Sequence, residues 1–185
     1  MNENPFIGAY WPARKESRRE CAERITRFLL SIQDHAAFAR WIPKTRSRKS
    51  VSVPLEITVD AIEQRLKTNN RDTDGTAIQE LGFNLSIWNG SDEASASFSV
   101  TCGAFSNFVK NSAVLYLPPQ PSPIDAASRT VLRSFLEKSV AAWDPEDAVA
   151  TSNEFMTRKG GGMPWVAGGW FVYRRGKGTT IAAEA

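Results

Sequence analysis

Apolar positions recur along this chain with two different periods, and each change of period marks an element. The run PFIGAYW is short and apolar and predicts a first strand ending near Trp11. From Glu16 the spacing lengthens. Cys21, Ile25, Phe28, Leu29 and Ile32 share one face of a helix reaching to about Gln33, while Arg18, Arg19, Glu20, Glu23, Arg24 and Arg27 share the other. Glu16 falls in its first turn, where a carboxylate suits the helix dipole. DHAAFARWIP adds a helical turn carrying Phe38 and Trp41, stopped by Pro43. VSVPLEI reads as a broken edge strand, because Pro54 has no N–H to give to a ladder. Thr58 is placed to cap a short helix with Val59, Ile62 and Leu66 inside, and TNNRDTDGT follows as a polar loop.

The middle of the chain alternates. Phe83, Leu85 and Ile87 point one way, Asn89-Gly90 is a hairpin cue, and Ala94, Ala96, Phe98, Val100 and Cys102 then alternate with serines and Thr101. That is an antiparallel pair with one buried and one polar face. AVLYLPP predicts the next strand, ended by Pro118 and Pro119. A second long helix is capped by Ser122 or Asp125, buries Val131, Leu132, Phe135, Leu136, Val140 and Trp143, and stops at Asp144-Pro145. EDAVATS is a short strand or turn, RKGGGMPW a loop, and WVAGGWFVYRR a last strand whose glycines suggest a bulge. The order predicts an α+β fold: an antiparallel sheet of about four to six strands, with two long helices and one short helix packed on one face. Residues 1–176 are expected to form one domain and 177–185 a frayed tail.

With 42% hydrophobic residues and six tryptophans, the 185-residue chain can build one core without staples. Trp41, Trp88 and Trp143 close elements on apolar faces and read as core. Trp11, Trp165 and Trp170 are less firmly placed, and an exposed tryptophan beside the glycine-rich loop is a candidate partner contact. The net charge of +3, with a pI near 9.0, permits an acidic partner without demanding one. Cys21 and Cys102 form neither a CxxC pair nor a zinc framework and are expected to be buried, reduced thiols. The start of the chain has no basic and apolar leader, and no run of about 18 apolar residues occurs, so a cytoplasmic protein is expected.

Candidate chemistry is sparse. The one histidine, His35, sits at a helix junction and reads as a capping or surface residue. RKGGGMPW has the glycines of a phosphate loop but leads into a strand, not a helix. No metal or cofactor motif is found. Asp144, Glu146 and Asp147 lie close together at a helix end, as turn-forming acids, a docking patch for a basic partner, or ligands for a metal. The basic segment 40–49, with Lys44, Arg46, Arg48 and Lys49, suits a solvated loop or a nucleic-acid contact. A chain without a catalytic set favours a binding module.

Tyr10-Trp11, Arg14, Glu16-Ser17, Cys21-Ala22 and Arg24, followed by Phe38 and Trp41 and by Gly169-Trp170 leading a strand to Tyr173, resemble immunity protein family fifty-two of bacterial polymorphic toxin systems. The likeness runs over about residues 5 to 175. It implies a small α+β antidote, encoded beside a toxin, that blocks its target and carries out no reaction. It also implies that the toxin is a nuclease with a restriction-endonuclease-like fold, delivered between competing bacteria by systems such as type VI secretion. Antidotes that cover a nuclease's DNA cleft are often acidic, and this chain is not. Its contact face is therefore either locally acidic or directed away from that cleft. The residues expected at the contact are Asp144, Glu146, Asp147 and Trp165. The competing reading is a nucleic-acid-binding module using residues 40–49.

Overall fold

The computed structural model describes residues 2–44, 53–66, 74–76, 78–121, 125–158 and 169–181. Its strands are β1 (Asn2–Glu3), β2 (Pro5–Trp11), β3 (Ile42–Pro43), β4 (Phe83–Trp88), β5 (Ser97–Cys102), β6 (Asn111–Tyr116), β7 (Gln120–Pro121), β8 (Asp147–Ser152), β9 (Phe171–Arg174) and β10 (Gly178–Ile181). The helices are α1 (Arg18–Ile32), α2 (Val59–Leu66), α3 (Ala126–Trp143) and α4 (Asn153–Arg158). The α+β class expected from the sequence is present, but the main sheet has eight strands, more than the four to six expected, in the order β10-β9-β8-β2-β6-β5-β4-β3. Every neighbouring pair is antiparallel.

Three elements account for the extra strands. EDAVATS, expected as a short strand or turn, is the six-residue β8, paired on one side with β2 and on the other with β9. It is buried on both faces with small side chains, so it shows no alternation to read. Ile42–Pro43 adds an edge strand against Trp88 and Ile87. Gly178–Ile181, placed in the frayed tail by the sequence reading, turns back on β9 as an antiparallel partner. The Asn89-Gly90 cue marks a hairpin, but β4 and β5 are joined by a longer loop. Asn89 Oδ1 holds that loop by accepting from the Ser91 and Ala96 amides.

The helices lie against one face of the sheet. Ser17 caps α1 and forms a capping box with Glu20, whose carboxyl is held below its ordinary range by its hydrogen bonds to Ser17. Glu16 therefore lies before the helix rather than in its first turn. Asp125 is the cap of α3, accepting from Ser128 N at 2.7 Å, and Thr58 Oγ1 accepts from Ala61 N at the start of α2. Ile25, Phe28 and Leu29 of α1 and Leu132, Leu136 and Trp143 of α3 meet Ile7, Ala9, Leu85, Phe98, Val100 and Leu115 of the strands in one core. Trp11 stacks on Trp143 at 5.5 Å, and Phe38 on Trp41 at 5.6 Å. Val131, expected inside, is 39% exposed on α3. Cys21 and Cys102 are free and buried, as expected. The Cys102 thiol is pushed up by its hydrogen bond to Cys21 and by burial, so it stays protonated.

Candidate partner-binding surface

Strand alternation sends half of each strand's side chains away from the helices. On β4 these are Asn84, Ser86 and Trp88, and on β5 they are Ser97, Ser99 and Thr101. On β6 they are Ser112, Val114 and Tyr116, and on β2 Phe6, Gly8 and Tyr10. The register aligns them in three rows: Trp88–Ser97–Tyr116–Phe6, Ser86–Ser99–Val114–Gly8 and Asn84–Thr101–Ser112–Tyr10. Trp88, expected in the core, is thus outward-facing and half-buried. Ser86 and Ser99 are exposed and share a hydrogen bond of 3.1 Å, and Thr101 Oγ1 donates to Asn84 Oδ1 at 2.7 Å. Phe6 packs on Tyr116 with ring centroids 5.4 Å apart, and the Tyr10 ring lies over the bare Cα of Gly8. Burial first, and Tyr116 second, raise the Tyr10 phenol well above its ordinary value.

The third row continues from Tyr10 into Asp147 and Arg174, so one of the expected contact residues borders this face. The acids around it are not free. Asp147 pairs with Arg174 at 3.5 Å, and Asp144 pairs with Arg175 at 3.1 Å. Asp144 ends α3 in the left-handed region with φ 45°, and its N–H bonds to Val140 O. Glu146 is exposed, and its backbone N–H donates to Tyr10 O. Asp144 and Glu146 thus lie between α3 and β8, Asp147 opens β8, and two of the three charges are paired locally. Among the described residues, no group of three or more His, Cys, Asp or Glu is placed to hold a metal ion. Trp165 lies outside the described residues, as do Arg46, Arg48 and Lys49 of the basic segment. His35 caps the short turn Ala36–Phe38, its Nδ1 accepting from Ala37 N at 3.3 Å.

Just beyond Thr101 and Ser112, at the same end of the sheet, the β5–β6 loop carries an aromatic that sequence reasoning passed over. Phe108 is 95% exposed. The loop beneath it is well held. Asn111 donates to Pro12 O and Ala104 O and accepts from Ala104 N, and the Phe105 and Ser106 amides donate to Glu80 O. Phe105 in the same loop lies under Lys15, 5.1 Å from the ring centroid. The signal was present in GAFSNFVKN, where two phenylalanines fall outside any alternation.

At that end of the sheet, Glu16 sits between Arg24, at 2.6 Å, and Arg14, at 3.2 Å, and the two arginines donate to Ala142 O and Trp143 O. Residues 10–24 thus tie the first strand, the first helix and the end of α3 together.

The model of the immunity protein 52 family matches residues 3–181. The chain belongs to this family. The match spans nearly every element described above, from β1 to β10. No curated protein matches the sequence. Members of an immunity family act on a cognate toxin, so the surface that matters is one that receives a protein. No described helix is long and apolar enough to cross a membrane.

Proposed function

We propose that this member of the immunity protein 52 family neutralises a nuclease toxin by binding it, in the cytoplasm of the cell that makes both, and that it performs no reaction of its own. The family match over residues 3–181 carries the reading. The outward sheet face supports it: a layer of helices covers one side of the sheet, and the other side keeps exposed hydroxyl and aromatic groups. The nuclease character of the target and its delivery by a type VI system rest on the resemblance alone. The test is growth of cells expressing the toxin encoded beside this chain, with and without the chain. Growth is expected to recover. Continued killing with both proteins soluble would sink the proposal.

A further inference from the structure

Of the twelve outward positions on these four strands, Phe6 and Gly8 are buried and the other ten reach water, and none of the ten is charged, although 23% of the chain is. Ordinary protein surface carries roughly a quarter to a third charged residues, so about three would be expected here. Serine, threonine, asparagine, tyrosine and tryptophan occupy nine of the positions. That is the composition of a protein-binding paratope: aromatic rings supply area at low entropic cost, and small hydroxyls supply adaptable hydrogen bonds. It suits neither nucleic acid, which needs cations, nor a lipid surface, which needs a basic or strongly apolar face.

We infer that the toxin docks on this face, with Phe108 as an anchor at its end, through a toxin surface other than the groove that holds nucleic acid. The inference rests on the proposed function. A nuclease groove is lined with cations, and pressing it against an uncharged face would bury those charges unpaired, at a cost of several kcal/mol. The acids nearest the face relieve little of this: Asp147 and Asp144 are already matched to Arg174 and Arg175, which leaves the single exposed carboxylate of Glu146 beside Tyr10. Size points to the same extended contact. Three strands that reach water, about 4.8 Å apart and six residues long, give roughly 300 Å² of flat area, over a third of what one partner gives to a standard interface. The remainder falls on the adjoining loop, where Phe105 and Phe108 are exposed.

The test titrates a catalytically inactivated form of the adjacent toxin with the whole chain. Wild-type affinity should change by less than about tenfold between low and high salt, because the charges at this contact, Lys15 and Lys110 beside the loop, stand only at its rim. Ser99→Arg should weaken binding by about a hundredfold or more, and Phe108→Ala by roughly thirtyfold, with thermal melting of both variants unchanged. Duplex DNA should still bind the inactive toxin in the complex. If wild type protects cells but Ser99→Arg binds equally well, or DNA competes with the chain, the docking face is wrong and the proposed function stands. If wild type neither binds nor protects, both fall. If Ser99→Arg instead turns a dimer of this chain into a monomer by sedimentation, the occupant is a second copy and the inference is overturned.

Discussion

Glu16 is the most exposed to test of the buried charges. Its side chain is 7% exposed, and the Arg14 and Arg24 side chains are 26% and 28% exposed. Glu16→Gln removes the charge while nearly keeping the shape, and leaves two guanidinium groups without a carboxylate, Arg24 on the Ala142 carbonyl and Arg14 on the Trp143 carbonyl and over the Trp11 ring. Breaking a fully buried pair costs about 3–5 kcal/mol. The arginines reach water over a quarter of their surface, so the loss expected here is about 2 kcal/mol, or a fall in Tm of about 4–8 °C for a chain of this size. Urea denaturation of wild type, Glu16→Gln, Arg24→Ala, Arg14→Ala and the double variants gives the coupling energies. Arg24 should couple to Glu16 more strongly than Arg14. Arg24 makes an aligned bond of 2.6 Å, whereas Arg14 Nε stands 3.2 Å from Oε2 without hydrogen-bond geometry. A loss below about 0.5 kcal/mol, or a stronger coupling to Arg14, would refute the reasoning.

Gly103→Ala should destabilise by about 1–3 kcal/mol in the same assay, since its φ is +72° and a Cβ would stand 2.9 Å from Glu16 O and 3.1 Å from Cys21 Sγ; an unchanged midpoint would contradict that. Asp125→Ala should cost about 1 kcal/mol through loss of the α3 cap, read by the same denaturation. Tyr10 keeps its proton in the folded state at pH values where the unfolded chain, with its ordinary value of 10.0, loses it. Its contribution is therefore fully present below pH 10.0 and is lost as pH rises above that value, and Tyr10→Phe should flatten this alkaline fall in stability.

The two amphipathic helices and the β4–β5–β6 meander were legible because each shows a single inner face at its own period, as Cys21–Ile25–Phe28 and Leu85–Ile87 do. β8 was not, because Ala148, Val149 and Ala150 are buried on both sides and alternate with nothing. The short edge Ile42–Pro43 and the return strand at Gly178 are specified by pairing, which no local pattern announces. Asp144, Glu146 and Asp147 do cluster, but their neutralisation depends on Arg174 and Arg175, about thirty residues away in sequence and brought near by the β8–β9 pairing. The uncharged face was half visible in the alternating serines of ASASFSV. Its extension across β6 and β2 needed the register, and Trp88 was misplaced because the last residue of a strand shows its side only when its partner is known.

Inhibition by contact alone makes one demand that no catalytic antidote meets: each toxin molecule needs its own copy of the chain. Titrating a fixed amount of active toxin with purified chain and following the nucleic-acid degradation proposed for it tests this directly. Residual activity should fall linearly and vanish at one equivalent. Degradation that continues at excess chain, or that stops at a small fraction of an equivalent, would contradict the account.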